Sequence, residues 1–293
     1  MWKKKINING FNIINYTVMF FLLFICLYPF WYVFIYTISN PDTAIDIVLL
    51  PKDLTIQNYI KVLELDGIFS ATGMSVARTV IGTLVHVTCV MFLGYLFTKP
   101  MYCRKFFYRM VVITMYISGG VIPTYLVYMT YGLTNSFWIY ILPAAVSAYN
   151  VILCKTFVEN LPVSLEESAR LDGAGHLVIF WKIVLPLSKA IVATIVVFSA
   201  VAQWNAWTDN YIYNTSGKFD TLQLILKTYL NEATQMAALL EATGDVDILL
   251  DYQPTPMSIR MTITMVTLIP ILCVYPYMQR YFVKGVMVGA IKG

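Results

Sequence analysis

Between residues 159 and 189 the chain reads ENLPVSLEESARLDGAGHLVIFWKIVLPLSK, a stretch that gathers carboxylates, a glycine-centred break and spaced apolar side chains. Its chemistry is that of recognition rather than bond-making. A membrane hydrolase would need a convergent Ser/His/Asp set, a zinc cluster or paired carboxylates, and the sequence offers no such set. His86 and His176 are isolated, without ligand-like spacing, so a metal site is not expected. There is no P-loop, and any ATP must be hydrolysed by another polypeptide.

Read locally, this stretch is two short helices joined by a turn. Pro162 opens the first helix, Ser164 is its expected N-cap, and Glu167 stands three residues on, as in a capping box. Leu165, Ala169 and Leu171 form a narrow apolar stripe, with small Ala169 permitting close approach to a partner. Asp172-Gly173 breaks the helix. A second helix carries Leu177, Phe180 and Trp181 to Ile183, and Leu185-Pro186 is expected to turn the chain back.

A second constellation suits a polyhydroxylated ligand. Gln203, Trp204, Asn205, Trp207, Asp209, Asn210 and Tyr211 crowd together, and Gln203, Trp207 and Asn210 recur at i, i+4, i+7, one face of a continuous helix. Ser147, Tyr149 and Asn150 fall near the middle of another apolar run. Gly119, Gly120 and Pro123 predict a local break beside Tyr125 and Tyr128. Aromatic faces with amide partners fit sugars. The same residues also serve as interface anchors and interhelical hydrogen-bonders, which leaves a structural alternative open.

The elements that must position these groups follow from composition. Hydrophobic residues make up 59% of the 293 and charged residues 12%, against about 25% charged in soluble domains. Apolar runs long enough to cross a hydrocarbon core, about 20 residues each, lie at about 12–38, 75–98, 107–130, 137–157, 187–212 and 259–282. The first follows Lys3, Lys4 and Lys5, but its length and the lack of a small-x-small site after Tyr36 mark a retained span rather than a signal peptide. With the N-terminus inside, 14 of the 20 lysines and arginines fall on the cytoplasmic side, as the positive-inside rule requires. The expected architecture is therefore an all-α membrane protein of six transmembrane helices, one domain over residues 1–293, with both termini cytoplasmic. Cys26, Cys89, Cys103, Cys154 and Cys273 lie in spans or at their cytoplasmic ends, where disulfides are not expected.

Residues 39–74 and 213–258 would lie outside. IQNYIKVLELDGIF reads as a short surface helix and LQLILKTYLNEATQMAALLEA as an amphipathic one, followed by an acidic, turn-rich stretch from Gly244 to Pro256. They are either a docking surface or plain connectors. Arg78 and Arg260 open spans on the outer side, where snorkelling to headgroups is the favoured reading and pairing with a docked protein's acids the other.

The 159–189 segment resembles the integral membrane subunits of binding-protein-dependent ABC importers. Their pattern is Glu-Ala-Ala, three residues, Gly, nine residues, Ile-x-Leu-Pro. Glu167-Ser168-Ala169, Gly173, Ile183, Leu185 and Pro186 keep those spacings, with Ser168 the one departure. ISGGVIPTYLV (117–127), LPAAVSAYNVILCKTF (142–157), AQWNAW (202–207) and YPYMQRYFVKGVMVGAIKG (275–293) are similar to the LplC-type carbohydrate permeases of the oligosaccharide, maltose-type branch. Lys189 replaces a frequent proline after PLS.

The resemblance implies a type I ABC importer transmembrane domain whose coupling helix docks on a cytoplasmic ATPase. Glu166, Glu167, Ser168, Ala169, Leu171, Asp172, Gly173, Ala174, Leu177, Phe180, Ile183, Leu185 and Pro186 would form that contact, with Leu171, Ala174, Leu177 and Phe180 filling the ATPase groove. It also implies a second homologous permease, an ABC ATPase dimer and an extracellular sugar-binding lipoprotein, in the bacterial cell membrane and in contact with lipid. No nucleic acid is expected. ATP and Mg would sit on the ATPase, and no cofactor on this chain. Import of a peptide or amino acid, or sensing by a complex of the same fold, are the alternatives.

Overall fold

A computed structural model describes residues 9–40, 50–243 and 257–290. Among them every regular element is helical, apart from one isolated bridge between Ser39 and Leu54. The expected acidic stretch 244–256 and the basic terminal residues Lys3, Lys4, Lys5 and Lys292 lie outside the described residues. Contacts divide the chain into two units, residues 1–66 with 228–269, and residues 67–227 with 270–293.

In the first unit, α1 (Gly10–Thr37) contains an 18-residue stretch with a mean hydropathy of 2.3. It is apolar on every side, and its large side chains, Phe20 and Phe24 among them, are exposed to the surroundings. A helix apolar all round with so little protein cover is built for lipid. Only its C-terminal end is buried, and there α2 (Gln57–Leu63) secures it. Asn58 Nδ2 donates to Thr37 O (3.0 Å) and Ser39 O (2.9 Å), satisfying carbonyls that the end of a helix leaves free. The expected short surface helix is thus this tie.

The second unit is organised around α3 (Ile68–Leu96), which packs against α6 (Ala148–Glu159) and α10 (Lys189–Asn205). Two glycines permit the approach. A Cβ on Gly94 would lie 2.6 Å from Cys154 Cβ of α6, and one on Gly82 would lie 2.6 Å from Gln203 Nε2 of α10. Val90, Met91, Tyr95, Val151, Cys154 and Ile195 close the core between the three helices. The amphipathic helix expected near 222 forms as α12 (Leu222–Thr243), and α13 (Met257–Ala290) follows.

Among the described residues three helices are singly long and apolar enough to span a membrane: α1, α3 and α13 over Met257–Val274. A fourth candidate is the bent pair His176–Leu187 with Lys189–Asn205, at 84°. Two of the expected runs, 107–130 and 137–157, are not continuous helices. The first is α4 (Arg104–Ile113) and α5 (Val121–Thr130). They are parted at Gly119-Gly120, where Gly120 takes a φ of 79° that side chains resist. The second opens with a 3-10 turn, Phe137–Tyr140, and becomes helical only at Ala148, beyond Pro143, which has no N–H to give.

Candidate functional site

The segment 159–189 folds as a helix, a closed turn and a second, wider helical stretch. α7 (Val163–Leu171) begins with Pro162 at its N-cap and no side-chain cap. The expected capping box is therefore absent. Ser164 already lies inside the helix, and its carbonyl accepts from Ser168 Oγ (2.9 Å), so Glu167 is left exposed.

At the other end Gly173, with φ of 82°, permits a Schellman closure. Ala174 N–H donates to Ala169 O (2.9 Å) and Gly173 N–H to Arg170 O (3.0 Å). These bonds satisfy the last carbonyls of α7 and fix its exit direction. α8 (His176–Ile179) then widens into a π-helical turn over Phe180–Val184 and tightens again in α9 (Leu185–Leu187). Pro186 cannot donate a backbone hydrogen bond at the foot of this turn. The bend expected at Leu185-Pro186 falls later, at buried Ser188, where α9 meets α10.

Side-chain directions revise the expected contact set. Leu171 is 89% exposed and Leu177 61%, beside exposed Glu167, Ser168, Asp172 and Pro186. Phe180, expected to fill a partner's groove, is 1% exposed and packs edge-on to Phe92 (5.3 Å). The widened turn rotates Phe180 inward together with Val184, and leaves Trp181 outside instead. Ala169, Ala174 and Leu185 pack against the same core, and Ile183 is half-buried. Trp181 and Val163 belong to the exposed face, although spacing alone did not single them out as partner contacts.

Glu166 faces inward, paired with both Lys99 and Arg170 (2.9 Å). Burial pushes its carboxyl up, but the hydrogen bonds and charges of Lys99 and then Arg170 outweigh it and hold the group below the usual glutamate range. Lys99 also lies 4.8 Å from the centre of the Tyr95 ring, and Tyr95 Oη lies 3.3 Å from His176 Nδ1.

At the far end of α3 a buried polar network forms. Arg78 is 2% exposed, so the favoured snorkelling reading fails for it. Its Nη2 donates to Asp209 Oδ2 (2.6 Å), Nη1 to Asp209 Oδ1 and Ala206 O (both 3.2 Å), and Nε to Gln203 Oε1 (3.2 Å). The guanidinium carbon lies 4.4 Å from the centre of the Tyr140 ring. Gln203 Nε2 donates to Tyr140 O (3.1 Å), so both ends of this amide are engaged.

The shared face expected for Gln203, Trp207 and Asn210 does not exist. α10 ends at Asn205, Ala206 is extended (ψ 125°), and α11 (Thr208–Tyr213) starts anew. The break frees the Ala206 carbonyl that Arg78 takes up. Asn210 is fully buried, donating to Phe219 O (3.3 Å) and Thr221 Oγ1 (3.1 Å) and accepting from Asn214 (3.1 Å). Burial pushes the Asp220 carboxyl up, opposed by a hydrogen bond from Asn214. In the other unit, Arg260 Nε is buried, with no hydrogen-bond partner among the described residues.

The remaining pathway candidates divide in the same way. Asn150 is buried and its Nδ2 lies 2.9 Å from His86 Nε2, while His86 Nδ1 lies 2.7 Å from Ala144 O. Since a carbonyl only accepts, His86 carries its proton on Nδ1 and receives the Asn150 amide at Nε2. Trp204 is buried. Tyr149 is exposed, and Asn205 is exposed while accepting from Gln223 (3.2 Å). Trp207 sits between Tyr211 (6.2 Å) and the Lys227 ammonium (5.2 Å). Tyr125 stacks on Tyr213 (6.0 Å), and Tyr128 meets the same ring edge-on (5.1 Å).

A closed helix–turn–helix beside a bundle of apolar helices is the arrangement of a membrane transport subunit, and comparison with known proteins agrees. Residues 87–288 match the family of binding-protein-dependent transport system inner membrane components, and the chain belongs to that family. It is similar to the polygalacturonan/rhamnogalacturonan transport system permease protein YtcP of Bacillus subtilis, at 36% identity over 97% of this chain and 98% of that protein. Protein LplC of the same organism is 35% identical over 84% of this chain and 81% of its own length. Among solved structures, a bacterial ABC transporter involved in import of the acidic polysaccharide alginate matches with a TM-score of 0.80 and 28% identity, covering 93% of this chain and 96% of that one. The fold is that of a type I ABC importer permease, and the family is a transport component rather than a catalytic one.

Proposed function

We propose that this chain forms half of the membrane pathway of an ATP-driven oligosaccharide importer and is driven through residues 159–189 by an ATPase it does not contain. The observation that carries this reading is the exposed, rigidly closed face of Glu167, Leu171 and Leu177 around the Gly173 turn. Apolar side chains held out on a fixed backbone lose little conformational freedom on docking. Leu171, Leu177 and Trp181 would enter an ATPase groove, and Glu167 would meet a basic or polar group at its rim. Relatives named for polygalacturonan, rhamnogalacturonan and alginate support an oligosaccharide cargo over a peptide or an amino acid.

On this reading residues 1–293 form one transmembrane domain crossing the bacterial cell membrane six times. α4 with α5 is one broken span, the 3-10 turn with α6 another, and both termini are cytoplasmic. The distribution of lysine and arginine supports that orientation. The partners are a second homologous permease, an ABC ATPase dimer carrying ATP and Mg, and an extracellular sugar-binding lipoprotein. No cofactor is held by this chain. Tyr125, Tyr128, Tyr149, Asn205 and Trp207 would meet cargo, while Asn150, Gln203, Trp204 and Asn210 support them from within buried networks.

Gly173→Pro and Glu167→Lys test the assignment. Each is expected to abolish ATPase assembly or sugar uptake while leaving membrane insertion intact. Normal uptake by both variants would contradict it.

A further inference from the structure

The two arms of the 159–189 segment are both held by one end of α3, a helix remote from them in sequence. Lys99, on the hydrogen-bonded turn that ends α3 (its N–H to Leu96 O, 3.0 Å), pairs with Glu166 of α7. One turn earlier, fully buried Tyr95 meets His176 of α8 at 3.3 Å and the Phe180 ring at 5.6 Å, and the Lys99 ammonium lies 4.8 Å from the centre of the Tyr95 ring. A turn before that, Phe92 takes the edge of Phe180 at 5.3 Å.

Neither the α7 nor the α8 arm can move without working against α3. The grip is not solidly filled, because a cavity of about 240 Å³ lies beside it, bordered by Thr98, Lys99, Leu161, Pro162, Leu165 and Glu166 among others. Packing alone therefore does not fill the space between the segment and the end of α3, and the charge pair and the aromatic contacts bridge it. From Lys99, α3 runs roughly 30 Å at 1.5 Å per residue to Arg78. There it is fixed again, by four hydrogen bonds to Gln203, Ala206 and Asp209 at the α10 break.

We propose that Lys99 and Tyr95 are positioning residues of the transport cycle. They clamp the coupling segment to α3, which carries its displacement as a rigid strut to the Arg78–Asp209 joint. The inference rests on the coupling role proposed above. It adds that the load passes through α3, and not only through α6 and α10, the helices that flank the segment in the chain. A clamp that transmits must stay closed throughout the cycle, whereas a latch must open once per turnover. That difference is measurable without knowing the cargo.

The test uses the assembled importer in lipid vesicles. A Lys99→Cys, Glu166→Cys variant is cross-linked with a short bifunctional thiol reagent, with the parent chain treated alike. Cross-linked complexes are expected to hydrolyse ATP within about twofold of the reduced form. A loss of about tenfold or more, restored by reductant, would show that α7 must leave α3 and would overturn the clamp. Lys99→Ala adds a second readout, the stimulation of hydrolysis by the binding protein purified from the producing cells. It should keep basal hydrolysis within about twofold of the parent but lose most of that stimulation, and the conservative Lys99→Arg should keep it. Full stimulation in Lys99→Ala, or its loss in Lys99→Arg, would also overturn the proposal. If Glu167→Lys abolishes assembly while Lys99→Ala behaves as the parent, the coupling role stands and only the strut falls. If Glu167→Lys and Gly173→Pro are both silent, the coupling role itself falls.

Discussion

The two ends of α3 use charge in opposite ways. At Arg78 the guanidinium is buried and meets a carboxylate, an amide and a backbone carbonyl, so its charge is spent within the chain. At the 159–189 segment Glu166 is consumed internally, while Glu167, its neighbour in sequence, is left exposed. One end is finished within the chain and the other is half of a contact. Adjacent glutamates one helical step apart thus carry separate duties, one holding the segment to its own subunit and one facing away from it.

Breaking the finished end should cost most. Asp209→Ala leaves Arg78 buried without its counter-ion and is expected to destabilise by about 3–5 kcal/mol, read as a lowered unfolding temperature in detergent. A near-neutral result would mean that Arg78 is not committed to this joint. Next comes the close packing of α3. Gly94→Ala puts a methyl 2.6 Å from Cys154 Cβ and should cost about 1–3 kcal/mol, recovered in part by Cys154→Gly.

The Lys99–Glu166 pair is smaller, at about 1 kcal/mol. Because the folded state holds the Glu166 carboxyl below its ordinary value of 4.5, its contribution is fully present above that pH. It is lost as pH falls through the depressed value. The stability gap between the parent and Glu166→Gln should therefore close on acidification below about pH 4.5, and a gap that widened would contradict the pairing. Leu171→Ala should change stability by less than about 0.5 kcal/mol, since the side chain touches almost nothing within the subunit.

Much of the segment was legible in the sequence because its determinants are local. Gly173 after Asp172 announced the turn, and Gly119-Gly120 announced the break between α4 and α5. The rest depended on contacts that spacing does not encode. Arg78 and Asp209 are 131 positions apart, and each looks like an ordinary interfacial charge until α3 and α10 are packed together. The pattern Gln203, Trp207, Asn210 suggested one helix face because a helical period was assumed across Ala206, where the chain is extended. The resemblance puts Phe180 in a partner's groove, whereas in the fold it opens a π-helical turn and is buried. Ser164 looked like a cap because Ser-x-x-Glu is a capping signature, but Pro162 had already taken the N-cap position. The glycine signals survived the passage to three dimensions, and the capping signature and the assumption of continuous periodicity did not.

The central claim is that the exposed face of this segment is where an ATPase binds. Co-purification of the ATPase with the permease from membranes tests it most directly, comparing the parent with Glu167→Lys and Leu171→Ala. The account predicts that Glu167→Lys abolishes, and Leu171→Ala reduces, the ATPase recovered per permease while insertion and unfolding temperature stay at parent values. Undiminished recovery with both variants would contradict it.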